Sequence, residues 1–170
     1  MKRLYRSRHL LISSITLLLF YAAMQHTLAD DHLQLQPYTA STEKSFDDVI
    51  DDLKFAISEY NFRLTSENRI SAAISKQTGE NLPKARILHF CNLDYARVFI
   101  KADPDYLLNM PCRIAVRQQQ DQVIIQTWLL TEPCPQLSKH VAEVNDIFKK
   151  IVDYGAEKRQ TKINVFRMKK

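Results

Sequence analysis

Between Pro111 and Glu132 apolar and polar positions alternate: Cys112, Ile114 and Val116 stand between Arg113, Ala115 and Arg117, a polar Gln118–Gln122 loop follows, and Val123 to Leu130 resumes the pattern. A period of two predicts a β-hairpin with one apolar and one mixed face. Upstream, Tyr38 to Ser41 reads as a first strand extending Leu33 and Leu35 past Pro37, and edge-like because proline cannot donate to a ladder. The period then changes. Phe46, Val49, Ile50, Leu53, Ile57 and Tyr60 recur at helical spacing behind Ser45, an N-cap residue, which predicts a helix over 46–60. Asn61 suits the left-handed turn that ends it, and Phe62 to Thr65 alternates as a second strand.

Ser71 to Lys76 predicts a short helical turn docking Ile70 and Ile74, and Ile87 to Phe90 a central third strand closing at Cys91-Asn92. Asp94 is placed to cap a helical crossover with Tyr95, Val98 and Phe99 inward, and Asp103-Pro104 opens another turn. After Pro133-Cys134-Pro135, the stripe Val141, Val144, Phe148, Ile151 and Val152 predicts a second long helix on the same sheet face, closed by Gly155.

At 170 residues and 45% hydrophobic content the chain has enough material for one cored domain. Its two glycines, Gly79 and Gly155, rule out a Gly-rich phosphate loop and with it Rossmann and P-loop readings. Residues 1–29 read as a secretory signal peptide: basic Met1–Arg8, apolar Leu10–Met24, then Thr27-Leu28-Ala29 with cleavage expected after Ala29. The apolar run falls short of the roughly 20 residues that span a bilayer, so no membrane span is expected after cleavage and the mature chain is expected to be periplasmic or secreted. That leader holds Lys2, Arg3, Arg6 and Arg8 and no acid, so the formal charge of +5 drops to +1 without it, which argues against a nucleic-acid partner. The domain is expected over 30–155. A basic tail over 156–170, with Ile163, Val165 and Phe166 among its cations, reads as a solvated end or as an arm for a partner.

Candidate chemistry gathers at the cysteines. If consecutive strands run up and down, Cys91, Cys112 and Cys134 share one rim of the sheet. One structural disulfide with a leftover thiol is the plainest expectation, and Cys91 with Cys112 the preferred pair, because neighbouring antiparallel strands can bring Cα atoms within bridging reach. A thiolate and imidazole site of His89, Cys91 and Cys112, with Cys134 or His140, would suit zinc or copper(I), though no ligand spacing supports it. The third alternative is a redox-active or sulfur-carrying cysteine with Arg113 as the cation that lowers a thiol pKa. No nucleophile elbow, His-Glu-x-x-His helix or supported Ser/His/Asp set occurs, so no catalytic residue and no cofactor is assigned. The other candidate surface is the sheet face opposite the helices, where Arg113, Arg117, Gln126 and Trp128 are expected to project for a partner chain or small ligand.

Gly79-Glu80-Asn81-Leu82-Pro83 before an apolar strand, Cys91-Asn92 at its end, Lys101-Ala102-Asp103-Pro104 and Met110-Pro111-Cys112-Arg113 together resemble the bacterial family called domain of unknown function 302, over about Tyr38 to Tyr154. The resemblance implies an α+β domain of β-α-β-β-β-β-α order: one antiparallel sheet of about five strands, two long helices on one face and a short helical crossover. That topology is similar to one repeat of the TATA-binding protein, and family members often pair as homodimers. No activity is implied. Many members carry Gly where Cys91 stands, Pro where Leu93 stands and Gly where Asn61 stands, so Cys91 and Cys112 mark a cysteine-bearing branch. The leading expectation is an exported, non-enzymatic binding or assembly domain that pairs through its sheet; the alternative is a periplasmic thiol or metal protein working through Cys91 and Cys112.

Overall fold

The computed structural model describes residues 37–132 and 134–157. The expected leader, the Leu33 and Leu35 extension and the basic tail beyond Glu157 lie outside them. Five strands, β1 (Tyr38–Thr42), β2 (Arg63–Asn68), β3 (Ala85–Cys91), β4 (Cys112–Gln119) and β5 (Gln122–Thr127), form one sheet in the order β1-β5-β4-β3-β2, every neighbour antiparallel. The first strand lies beside the last rather than beside its sequence neighbour. Helices α1 (Phe46–Glu59) and α4 (Ser138–Ala156) pack together on one sheet face, while α2 (Ile70–Thr78) and α3 (Leu93–Ala102) connect strands. This is the expected α+β architecture, with two long helices and a helical crossover. Among the described residues no helix is long and apolar enough to cross a membrane.

Helix periodicity and strand alternation meet in one core. Val49, Ile50, Leu53 and Ile57 of α1 and Val144, Phe148, Ile151 and Val152 of α4 are buried against Leu88, Phe90, Ile114, Val116, Val123 and Ile125 of the sheet. Ser45 caps α1 by accepting from the Asp48 amide at 3.1 Å, and Asn61, at φ 59°, turns the chain into β2. Phe62 lies buried ahead of β2. α3 is capped by Asn92, not Asp94: its Oδ1 accepts from the amides of Asp94 at 2.9 Å and Tyr95 at 3.2 Å, and its Nδ2 donates to the Asn61 carbonyl at 3.0 Å. One side chain thereby ties the start of α3 to the turn after α1. Ile70 and Ile74 of α2 stay more than a third exposed, so that helix docks only loosely.

Gly155 does not close α4 but lies within it, buried under α1. A Cβ there would stand 2.6 Å from Leu53 Cδ2, so the glycine serves a close helix approach. The acids of α1 also do more than complement its dipole. Asp47 pairs with Lys84 at 2.8 Å and Arg86 at 3.1 Å, while Asp52 is buried against Lys44. The hairpin turn is shorter than expected, since Gln118 and Gln119 belong to β4 and Gln120, at φ 52°, turns the chain with Asp121. β5 ends at Thr127 rather than Leu130 because Asn145 of α4 takes the Leu130 N–H at 2.7 Å and its C=O at 2.9 Å, drawing the chain off the sheet.

At the edge strand β2, Glu67 accepts from Lys54 at 2.6 Å, Arg86 at 3.2 Å and Arg69 at 3.3 Å. The Lys54 hydrogen bond, helped by the nearby cations and opposed by burial, holds its carboxyl below the ordinary 4.5. A carboxyl depressed in the folded state stabilises fully above its unfolded value, and that contribution disappears as pH falls through the lower folded value. Glu67→Gln is therefore expected to cost stability at neutral pH and less in acid, the deficit shrinking as pH falls through the lowered folded value of the Glu67 carboxyl. Urea unfolding at neutral and at acid pH reads this difference, and a variant with the same deficit at both would contradict it.

Candidate functional site

The face turned away from α1 and α4 follows from strand alternation. On β4, Arg113, Ala115 and Arg117 are out of phase with buried Ile114 and Val116, and all three are exposed. On β5, Ile124 and Gln126 alternate with buried Val123, Ile125 and Thr127, and Trp128, next in phase, is 45% exposed. Among the described residues only one strand residue is acidic, Glu67, and its carboxylate is engaged with Lys54 of α1. Arg113 makes no ion pair among the described residues. The bare face thus carries guanidinium groups, an indole and small apolar side chains, with no carboxylate of its own strands to neutralise them.

Arg113, Ala115, Gln126 and Trp128 join Pro37 and Ile87 around a pocket of about 200 Å³. Its walls are tied across strands: Gln126 Nε2 donates to Thr39 Oγ1 at 3.2 Å, and the Thr39 hydroxyl donates to the Pro37 carbonyl at 3.3 Å. The Thr127 hydroxyl donates to the Arg113 carbonyl at 2.8 Å, fixing the end of the β4–β5 ladder beneath it. A neighbouring pocket of about 180 Å³ shares Arg113 and Trp128 and adds Leu108, which is 88% exposed. Three of the four side chains expected on this surface, Arg113, Gln126 and Trp128, are brought together. Arg117 stands apart, its guanidinium hydrogen-bonded to Gln119.

The cysteines are arranged otherwise than expected. All three are free thiols in the structure, so the expected Cys91–Cys112 bridge is not formed. Cys112 pairs with Phe90 and shares the core phase of Ile114 and Val116, while Cys91 falls one residue beyond and opposite Arg63. Both still line one small apolar pocket with Phe62, Tyr95 and Tyr106. Cys134 packs against the core after the chain has left the sheet and does not line that pocket. No three His, Cys, Asp or Glu side chains among the described residues converge as a metal site. His89, opposite Arg113, instead meets Ser66 Oγ through Nδ1 at 3.1 Å, while His140 belongs to α4, where its Nδ1 is buried without a hydrogen-bond partner.

Burial pushes the Cys112 thiol up from 9.0 to about 12, the nearby Cys91 adds to the rise, and a backbone hydrogen bond and then Arg113 oppose it. Burial also raises Cys91. So raised a thiol carries almost no thiolate at neutral pH, the opposite of what a nucleophilic or metal-binding sulfur needs. Cys112 is accordingly expected to resist dithionitrobenzoate in the native protein and to react on unfolding. Mass analysis of the labelled peptides checks this, and rapid native labelling of Cys112 would contradict it.

These features define a class: a two-layer α+β domain with one five-stranded antiparallel sheet, two long helices on one face and part of the other face left uncovered. The chain belongs to the family Domain of unknown function DUF302, whose model matches residues 38–154. A crystal structure of an uncharacterized conserved DUF302 protein from Bacillus stearothermophilus has the same fold, with a TM-score of 0.65 at 16% sequence identity over 69% of this chain and 96% of that one. No curated protein matches the chain.

Proposed function

We propose that this protein is an exported, non-enzymatic binding and assembly module whose working surface is the bare sheet face and whose partner is a second copy of the chain. The observation that carries the reading is Trp128, held 45% exposed beside an Arg113 that makes no ion pair among the described residues, on a face whose described strands supply no free carboxylate. Aromatic and arginine side chains are the groups that dominate the energetics of protein interfaces. In a two-fold pair each residue meets its counterpart reciprocally, so Arg113 of one copy can stack on Trp128 of the other and the reverse. That arrangement avoids setting arginine against arginine. Leu108, protruding next to Trp128, extends the apolar area available to a partner.

Trp128→Ala removes the anchor without touching the core. The native chain is expected to sediment at twice its monomer mass at micromolar concentration, and the variant to need at least tenfold more protein to pair. A native chain that stays monomeric throughout, or a variant that pairs as well as the parent, would remove the reading.

A further inference from the structure

The pocket between Pro37, Ile87, Arg113, Ala115, Gln126 and Trp128 has chemistry more specific than a flat contact surface. At about 200 Å³ it lies below the roughly 300–1,000 Å³ typical of sites for drug-sized molecules, so its occupant is small. Four of its walls, Pro37, Ile87, Ala115 and Trp128, are apolar, and one, Arg113, is a cation with no ion-pair partner among the described residues. A guanidinium presents a planar fork that fits the two oxygens of a carboxylate. A polyphosphate would need more than one cation, and Arg117 does not line the pocket. Gln126 and Pro37 are fixed by the hydrogen bonds that run through Thr39, so part of the wall is organised before anything binds.

We propose that this pocket binds a small monocarboxylate with a flat apolar body, its carboxylate on Arg113 and its body against Trp128. The inference rests on the reading of the bare face as the working surface, but not on which partner covers that face. Binding is read directly, because Trp128 is the only tryptophan in the chain and its emission reports the pocket.

The test is a fluorescence titration of the full chain at a dilution where its mass is that of one copy, with benzoate as the probe. Benzamide, similar in shape but uncharged, and inorganic phosphate, charged but without an apolar body, are the controls. Benzoate is expected to shift Trp128 emission saturably, and benzamide to bind about tenfold more weakly because the charge-assisted pair is gone. Phosphate is expected to give no saturable change. Arg113→Gln should weaken benzoate about tenfold with no change in thermal midpoint, since Arg113 is exposed. Equal binding of benzoate and benzamide, equal binding to the Arg113→Gln variant, saturable binding of phosphate, or no response to benzoate would each overturn the proposal. Self-association has its own readout in the sedimented mass, so a failure of pairing and a failure of ligand binding are told apart.

Discussion

Phe148→Ala is expected to lower the stability of the domain by about 3–5 kcal/mol, the range for truncating a buried phenylalanine. Phe148 belongs to α4, and its ring meets Phe90 of β3 edge-on at 5.4 Å and Phe62 at 5.9 Å, while Phe62 and Phe90 stand 5.5 Å apart in the same manner. These three rings join the helical layer to the sheet next to the turn that leads into β2. Removing the helical member deletes two edge-to-face contacts and leaves a cavity among side chains with no exposed surface to collapse onto. Against the 5–15 kcal/mol of a typical domain, at least about a fifth of the stability goes. Phe55→Ala is the matched control: Phe55 stacks on Tyr154 at 5.7 Å but is half exposed. Its loss should fall well under that of Phe148. Urea unfolding of both variants, with the midpoint moving and the slope unchanged, checks the ordering, and equal losses would contradict it.

Asp52→Ala is expected to have the next largest effect. Lys44 and Asp52 form an ion pair with side chains 10% and 6% exposed, and Lys44 Nζ also donates to the Gly155 carbonyl at 3.0 Å. The pair therefore ties the chain just after β1 to α1 and to the end of α4. Removing the carboxylate strands an ammonium group among buried surfaces, which costs about 3–5 kcal/mol. Replacing both partners by apolar residues of similar volume, Lys44→Met with Asp52→Leu, should recover most of that loss, because two desolvation penalties vanish together. The double-mutant cycle is read by denaturant unfolding. A double variant no more stable than Asp52→Ala would show that the pair acts through geometry the apolar residues cannot reproduce, contrary to this account.

Those two features show what a sequence discloses and what it withholds. The stripe that contains Phe148 is legible because a period near four residues can be read without knowing the partner. The hairpin and its bare side are legible for the same reason, and Arg113 and Trp128 follow from the alternation even though β5 ends one residue before Trp128. Asp52 was hidden: four acids in the first turns of a helix look alike until the fold turns one of them inward against Lys44. Gly155 has the look of a helix end, and only the nearness of Leu53 shows that it serves packing. Asn145 and Asn92 act on segments 15 and 31 residues away, where no local pattern points. Pocket walls contributed by Pro37 and Ile87 depend on strand order and register across the whole sheet, which are non-local. The cysteines illustrate the limit most sharply, since a displacement of one residue takes Cys91 out of direct register with Cys112, which pairs with Phe90 instead.

The central claim is that the uncovered side of the sheet is where this protein meets its partner. Ala115 lies at the middle of that side, exposed between Arg113 and Arg117, with no side-chain hydrogen bond to complicate its signal. The direct measurement is nuclear magnetic resonance of the Ala115 methyl group with a soluble gadolinium chelate, repeated from dilute to concentrated protein. The account predicts strong broadening in dilute solution and progressive protection as concentration rises, while Ala73 of α2 stays broadened throughout. Broadening of Ala115 that is the same at every concentration would contradict it.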